Sequence, residues 1–269
     1  PGSVLLYDAG ETSPPLVARG TGGGAAGLTA TQLTRSTNAT MRGLAGLSCP
    51  ASDTDFWFVG SGSVVGQRGR VYLSNPEAAP AVVDITLYGP DRPVRPPDGR
   101  GITVAPGRQQ VRLLDALAPG LTRLAVQVHA RVGRVSAAVR DLQVQGLTPL
   151  GADWVPRSAP PARRLVVPGV LGGQGQRLLR VAVPGRSDAI VRLRLLTPTG
   201  PLVPPDLDVV EVGAGSVGEI DLTGVAAGEP VTVLLESDVP VTAGVLSRLA
   251  PAEGQAGEYA YAAATAPLT

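Results

Sequence analysis

The sequence contains no lysine and only one cysteine, one histidine and one methionine in 269 residues. A single cysteine excludes a disulfide within the chain and a cysteine-rich zinc site. The single histidine, His129, has no Gly-x-Ser-x-Gly motif to act with, so a serine hydrolase is not indicated. All 23 basic residues are arginine, which indicates a GC-rich genome. The net charge is +1, and the sequence has no concentrated group of basic residues of the kind that nucleic-acid binding needs.

Long hydrophobic runs are also missing. We find no stretch of about 18 apolar residues and no secretory signal peptide in the sequence, which starts at Pro1. We therefore expect contact with a membrane only through an N-terminal anchor outside this sequence. Aromatic residues make up 3% of the chain, whereas its 35 glycines and 26 prolines indicate many turns.

The sequence repeats itself at the scale of a domain. The segment RVYLSNPEAAPAVVDITLYGP (70–90) matches LLRVAVPGRSDAIVRLRLLTP (178–198) at a constant offset of 108 residues. At this offset Ile85 corresponds to Leu193. The period is too long for a solenoid repeat, so it predicts two tandem copies of one module.

Within each copy the apolar residues alternate as in half-buried strands, for example Val83, Ile85 and Leu87. The first copy contains about seven such runs, near Trp57, Val71, Ile85, Val104, Val111, Val126 and Ala137. This pattern predicts an all-β protein of two tandem immunoglobulin-like β-sandwich domains of about seven strands each, with no substantial helix. We place the first domain at 42–157 and the second at 158–250, after an N-terminal extension (1–41) that resembles part of a preceding module and before an extended C-terminal segment (251–269).

The cluster Phe56, Trp57 and Phe58 holds three of the nine aromatic residues. The repeat places Trp57 over Leu165 in an aliphatic strand, so we expect most of the cluster to fill a core. Alternation puts Phe56 and Phe58 on one face and Trp57 on the other. We keep Trp57 as a candidate for ligand contact.

The segment GADWVPRSAPP (151–161) follows the final strand of the first copy, and PRSAPPARR (156–164) is predicted to be a proline-rich linker between the two modules. A flexible linker has no need of a tryptophan. We therefore expect Trp154 to pack on the first domain or at the domain junction, with a hydrogen-bond acceptor for its indole N–H. Trp154 and Arg157 are candidates for domain-junction or ligand contacts.

The remaining polar residues indicate no catalytic residue, no metal and no cofactor. His129 is expected to be a solvated strand residue, because its counterpart in the second copy is Glu236. The acidic segments SDTD (52–55) and DLDVVE (206–211) are typical of charged turns, and the glycine runs GTGGGAAG (20–27) and GVLGGQGQ (169–176) of flexible ones. Cys49 is expected to be buried and inert, or else paired with a cysteine outside this sequence.

Several motifs resemble an uncharacterised family of exported actinobacterial proteins, known only as a domain of unknown function. These motifs are RGLAGLSCP, DFWFVG, VYLSNP, GADWVP, LVVPG, SDVPVTAG and EYAYAAATAPL, and they span about residues 42–268. The resemblance implies a secreted or membrane-anchored protein with an N-terminal hydrophobic segment. It implies no activity.

We expect a non-enzymatic extracellular or cell-envelope protein that acts as a scaffold, adhesin or partner-binding module. Its partner would be a cell-envelope protein or polysaccharide. One alternative is an envelope-glycan-binding or carbohydrate-active protein that acts through Trp57, Trp154 and nearby arginines. Another is a subunit of an extracellular filament whose exposed strand edges pair between chains.

Overall fold

The computed structural model describes residues 16–37, 42–226, 228–249 and 257–267. Strands account for 56% of the residues, and one short α-helix is found in the described part, α1 (Leu114–Leu117). The predicted all-β class is therefore confirmed. Among the described residues, no helix has both the length and the apolar character needed to span a bilayer. The predicted extensions 1–41 and 251–269 lie partly outside the described residues.

The strands fall into three groups along the chain. An N-terminal hairpin consists of β1 (Thr31–Ser36) and β2 (Gly43–Ser48). Unit 1 contains β3 (Asp55–Val59), β4 (Arg70–Ser74), β5 (Ala81–Tyr88), β6 (Pro93–Val94), β7 (Ile102–Val104), β8 (Gln109–Leu113), β9 (Ala125–Val132), β10 (Ser136–Gln145), β11 (Thr148–Val155) and β12 (Arg157–Ser158). Unit 2 contains β13 (Ala162–Val170), β14 (Gly175–Ala182), β15 (Ala189–Thr197), β16 (Gly200–Leu202), β17 (Val209–Val212), β18 (Val217–Asp221), β19 (Val231–Leu249) and β20 (Glu258–Ala263).

All strand pairs in unit 1 are antiparallel and form two sheets. One sheet has the order β11-β10-β4-β8, and the other has the order β12-β3-β9-β5-β6 with β7 also on β5. Phe56 and Phe58 point from β3 into the core between the sheets, together with Ile85 and Val71. The predicted alternation of the aromatic cluster is confirmed, because Trp57 belongs to a different buried cluster.

Unit 2 differs from unit 1 because its strands are not divided between two separate sheets. The 19-residue strand β19 pairs through its first half with β13 and β15, and through its second half with β14 and β20. One continuous eight-stranded sheet results, and a sheet of the protein curves into a half-barrel. A second apolar core lies in unit 2 and includes Leu193, which is as buried as Ile85 at 1% exposure each.

The strand pairing repeats between the units. In unit 1, β4 lies between β8 and β10, and in unit 2, β14 lies between β18 and the second half of β19. The alignment of the aromatic strand needs a correction of one residue. Phe56 connects through Val128 to Ile85, as Leu165 connects through Leu235 to Leu193, so Phe56 rather than Trp57 corresponds to Leu165.

Two local predictions are wrong. The segment predicted as a linker is paired with both units, because β12 lies on β3 and β13 on β19. Cys49 is exposed rather than buried. The glycine run 169–176 contains the turn between β13 and β14, as predicted, and the guanidinium of the fully buried Arg177 donates to the carbonyls of Leu171 and Gly172 in that turn.

Candidate functional site: a buried carboxylate at the junction of the two units

Two tyrosines of unit 2 insert into the core of unit 1. Tyr259 and Tyr261 alternate along β20, are 5% and 8% exposed, and belong to the same apolar cluster as Phe56 and Phe58. Their rings meet edge to face with centroids 5.6 Å apart. Insertion of two large rings from one unit into the other makes the junction part of the core.

The hydroxyl groups of both tyrosines meet a carboxylate of unit 1. Asp141, on β10, is fully buried, and its Oδ2 accepts hydrogen bonds from Tyr261 at 2.8 Å and from Tyr259 at 3.2 Å. A buried carboxylate is costly unless several donors surround it. The two tyrosine hydroxyls therefore offset part of the cost of burying this carboxylate at the junction.

Unit 1 supplies the remaining donors to Asp141. Ser61 Oγ donates to Oδ1 at 2.7 Å, and Gln143 Nε2 donates to Oδ2 at 2.9 Å. Gln67 Nε2 lies within 3.2 Å of both oxygens. Three of the five donor groups belong to unit 1 and two to unit 2, so Asp141 has its full set of donors when both units are in place.

The tyrosines keep their protons across the physiological range. Burial, together with the nearby charge of Asp141, raises the pKa of Tyr259 and of Tyr261 well above the ordinary value. Both hydroxyls therefore remain donors to Asp141.

Ser61 links this carboxylate to an ion pair of unit 2. Its backbone N–H donates to Tyr261 Oη at 3.1 Å, and its carbonyl accepts from Arg180 Nη1 at 2.7 Å. Arg180 is 3% exposed and pairs with Glu219 at 2.9 Å. Ser61 adopts a φ of 68°, a conformation uncommon for residues other than glycine. The junction holds this backbone in place from both sides.

A second carboxyl group lies beside the first. Asp153, on β11, accepts a hydrogen bond from the backbone N–H of Tyr261 at 3.0 Å. Burial raises the pKa of Asp153 to about 6, and the neighbouring carboxylates of Asp141 and Glu258 add to that shift. Asp153 is thus the junction group that changes protonation near neutral pH.

Trp57 lies at an apolar part of the same junction. It packs with Tyr88 of unit 1 at a centroid distance of 5.5 Å, in a cluster that includes Ala182 and Val217 of unit 2. The ring is 4% exposed, and its Nε1 donates to Asp55 Oδ2 at 2.7 Å. The ring is therefore used in packing between the units.

Arg157 lies on β12, which pairs with β3 beside Trp57. Its Nη2 donates to Asp53 Oδ2 at 2.6 Å and to the carbonyl of Asp55 at 2.8 Å, while its guanidinium stacks 4.4 Å from the Phe56 ring centroid. The hydrogen bond from Arg157 lowers the pKa of Asp53. Arg157 thus ties β12 to the start of β3.

Trp154 is separate from these two residues. It is 6% exposed and packs against Tyr72 and Ala138 of unit 1 and Ala45 of the N-terminal hairpin. Its position on the first domain agrees with the prediction. The predicted acceptor is not found, because Trp154 Nε1 has no hydrogen-bond partner among the described residues.

A cavity of about 310 Å³ lies next to the junction, lined by residues of both units that include Leu150, Gln176 and Arg248. Arg248 Nη2 donates to Gln143 Oε1 at 3.0 Å, which connects this cavity to the Asp141 cluster.

His129 is exposed, as expected, with Nδ1 3.5 Å from Asp55 Oδ1. The described residues contain no group of three or more side chains suited to a metal ion.

Sequence reasoning missed Asp141, although a signal was present. Val139 and Asp141 are two residues apart on β10 and therefore face the same side of the sheet, where an acid is unexpected. The alternation of Tyr259 and Tyr261 between alanines is the matching signal in unit 2.

Comparison with solved structures gives a crystal structure titled Thermotoga maritima 1070, from Thermotoga maritima. It is 18% identical, with a TM-score of 0.33, and covers 39% of this chain and 94% of that chain. Comparison with curated proteins gives no match. The model of a family of unknown function, DUF5719, matches residues 4–269. A match over nearly the whole sequence shows that the chain belongs to the DUF5719 family.

Proposed function

We propose that this protein is a non-enzymatic scaffold or partner-binding module of the cell envelope, built from two immunoglobulin-like units held in a fixed relative orientation. The observation that carries the proposal is the buried junction, in which Asp141 of unit 1 is satisfied by Tyr259 and Tyr261 of unit 2. Domains that move independently meet through small polar interfaces. Because side chains of unit 2 are part of the core of unit 1, the two units favour a rigid arrangement that holds their outer surfaces at a fixed distance from each other.

The burial of the tryptophan rings argues against a sugar-binding surface made of exposed aromatic side chains. Trp57 and Trp154 are 4% and 6% exposed, so neither ring presents a face to a glycan. Arg157 is engaged with Asp53. These contacts favour the scaffold over the glycan-binding alternative.

An extracellular location is supported by the motifs shared with exported actinobacterial proteins. The exposed Cys49 allows a direct test. A membrane-impermeant maleimide added to intact cells should label the full-length protein, whereas the Cys49→Ser variant should stay unlabelled. Labelling that requires lysis of the cells would overturn this part of the proposal.

The scaffold role can be tested by loosening the junction without touching the outer surface. The variant Tyr259→Phe/Tyr261→Phe removes two buried donors from Asp141 and leaves both rings. Immobilised wild-type protein should retain an envelope partner from a detergent extract, and the double variant should retain at least threefold less. Equal retention by both proteins would place binding on a single unit and contradict the scaffold role. Binding to a glycan array would instead support the sugar-binding alternative.

A further inference from the structure

The two most exposed large apolar side chains among the described residues lie in neighbouring turns of unit 1. Val65 is 105% exposed and Leu147 is 88% exposed, whereas the next highest value is 73%, for Leu33. Single apolar residues on a protein surface are ordinary. Two that protrude from the same end of one unit call for a physical explanation.

Val65 occupies the second position of the tight turn 64–67. The backbone N–H of Gln67 donates to the carbonyl of Val64 at 2.9 Å, and Gly66 has a φ of 87°. A positive φ at the third position defines a type II turn, in which proline is common at the second position. The backbone therefore requires the glycine but does not require an apolar side chain beside it.

Leu147 lies in the two-residue turn between β10 and β11. Gln145 pairs with Thr148, and Gly146 has a φ of 59°. Polar residues such as asparagine, aspartate and serine are usual in turns, because their side chains bond to the local backbone. A leucine makes no such bond, so the turn itself gives no reason for this residue.

Backbone hydrogen bonds hold these turns side by side. The N–H of Val144 donates to the carbonyl of Gly66 at 2.7 Å. The N–H and the carbonyl of Ser63 bond to the backbone of a third turn, 118–121, at 2.8 and 3.0 Å. The three turns form one end of unit 1, which we call the tip and which consists of residues 64–67, 118–121 and 145–148.

The first of these turns is an addition to the module. In unit 1, ten residues (60–69) connect β3 to β4, whereas four residues (171–174) connect the equivalent strands β13 and β14 in unit 2. Part of the longer loop serves the junction, because Ser61 and Gln67 donate to Asp141. Val65 is too exposed to be part of that contact.

Positive charge lies beside the apolar residues of the tip. Arg68 and Arg70 follow the first turn and are both exposed. The exposed acid nearest to the tip in sequence is Asp115, on α1. Aspartate and glutamate do not occur in the tip or in the residues next to it, which are 60–70, 118–121 and 142–150. Arginines beside exposed apolar side chains match an anionic lipid surface.

The small size of the tip favours a bilayer over a protein partner. A stable protein interface buries about 1,000 Å² or more, whereas the tip offers two protruding apolar side chains. Binding to a bilayer needs only a small apolar area that enters the headgroup region, together with electrostatic attraction to anionic lipids. Turns that are already held by hydrogen bonds lose little conformational freedom when they enter.

We propose that the tip of unit 1 binds the surface of an anionic lipid bilayer. Val65 and Leu147 insert among the headgroups, and Arg68 and Arg70 face the anionic phosphates. The contact is weak and reversible, because two side chains bury little apolar area. This inference goes beyond the proposed function, in which the partner is a protein or a polysaccharide, and it does not depend on that function.

Flotation of the purified chain with lipid vesicles tests the proposal. The vesicles consist of phosphatidylcholine alone or of a two-to-one mixture with phosphatidylglycerol. We expect at least fivefold more wild-type protein on the anionic vesicles, and at least a fivefold loss for Val65→Ser/Leu147→Ser. The matched control is Val132→Ser/Val203→Ser, which removes two valines that are 56% and 53% exposed in other parts of the molecule and should bind within twofold of wild type.

A fluorescent label then locates the insertion. All labelled variants carry Cys49→Ser, so that each chain has one cysteine. An environment-sensitive probe on Leu147→Cys should brighten at least twofold on anionic vesicles. The same probe on Val132→Cys should stay unchanged. Equal brightening at the two positions would contradict insertion through the tip.

The binding experiment has clear negative outcomes. Equal binding of wild type and Val65→Ser/Leu147→Ser, equal binding to the two kinds of vesicle, or no binding to either would overturn the proposal. Retention of an envelope protein that depends on Val65 and Leu147, without binding to vesicles, would assign the tip to a protein partner and also overturn it. Because the vesicle experiment needs only the purified chain and lipid, its failure is distinguishable from failure of the scaffold role.

Discussion

Tyr261 of unit 2 donates its hydroxyl hydrogen bond to the fully buried carboxylate of Asp141 in unit 1, at 2.8 Å. The two residues are 120 positions apart in sequence. Because Asp141 loses two donors when the units separate, we expect unit 1 to be less stable without unit 2.

The first prediction concerns this hydrogen bond. Tyr261→Phe should lower the free energy of unfolding by about 1.5–3 kcal/mol, the usual range for a hydrogen bond to a charged group. Tyr88→Phe is the matched control, because the Tyr88 hydroxyl has no hydrogen-bond partner among the described residues, and it should cost less than about 0.5 kcal/mol. Urea unfolding measures both. Equal losses would show that the carboxylate contact contributes nothing.

The second prediction concerns pH. Burial raises the pKa of Asp153 to about 6 in the folded protein from 3.8, so the folded state holds this proton more tightly than the unfolded state. The contribution of Asp153 therefore favours folding at low pH and is lost as the pH rises from about 4 through about 6.

Asp153→Asn removes this titration and keeps an oxygen that can accept from the Tyr261 N–H. The variant should be more stable than wild type at pH 7.5, and the difference should shrink toward pH 4. Urea unfolding at several pH values gives the difference directly. A difference that stays constant with pH would contradict the raised pKa.

The third prediction compares core and surface. Ile85→Ala and Leu193→Ala should each cost about 2–5 kcal/mol, because both side chains are 1% exposed and leave cavities. His129→Ala should cost less than about 0.5 kcal/mol, because the imidazole is 54% exposed. Thermal unfolding of the three variants tests the assignment. A large loss at His129 would indicate a role for its contact with Asp55.

The alternation of apolar residues was enough to predict the strands around Ile85 and Leu193, because each side of such a strand meets one environment. The sequence repeat further predicted that Ile85 and Leu193 occupy corresponding positions in the two units. Strands β11 and β12 were missed because glycine and proline in GADWVPRSAPP favour a linker, and tertiary pairing overrides that preference.

The junction could not be derived from pattern alone. Asp141 meets its tyrosine partners only after β20 has folded back against unit 1, and no local signal reports such a distant contact. Trp154 was correctly expected to pack on the first domain. Its second contact surface, the N-terminal hairpin, depends on strand pairing between residues that carry little alternation.

The fourth prediction concerns Trp154. The ring supports the N-terminal hairpin through Ala45, so Trp154→Ala should cost about 3–5 kcal/mol and release the hairpin before the units unfold. Trp154→Phe keeps most of the ring and removes an indole N–H that has no partner among the described residues, so it should cost less than about 1.5 kcal/mol. Hydrogen exchange of β1 and β2 distinguishes the two variants. Unchanged exchange in Trp154→Ala would show that the hairpin is held by other contacts.

The last prediction concerns a close approach of the two unit backbones. A Cβ atom on Gly244 of β19 would lie 2.4 Å from the carbonyl oxygen of Val59 in unit 1, a distance that real Cβ atoms do not adopt. Neither backbone can yield easily, because β3 is fixed by β9 and β19 by β14 and β20. Gly244→Ala should therefore push the units apart, which exposes Asp141 to water and lowers stability by about 2 kcal/mol or more.

Gly185→Ala is the control for this variant. A Cβ atom on Gly185 would meet no atom within 4 Å, so alanine there should be neutral or slightly stabilising by about 0.4–1 kcal/mol through the unfolded state. Small-angle scattering should show a larger maximum dimension for Gly244→Ala and an unchanged one for Gly185→Ala. Identical scattering from the two variants would mean that the junction tolerates the added methyl group, and the fixed orientation on which the scaffold role depends would then lose its support.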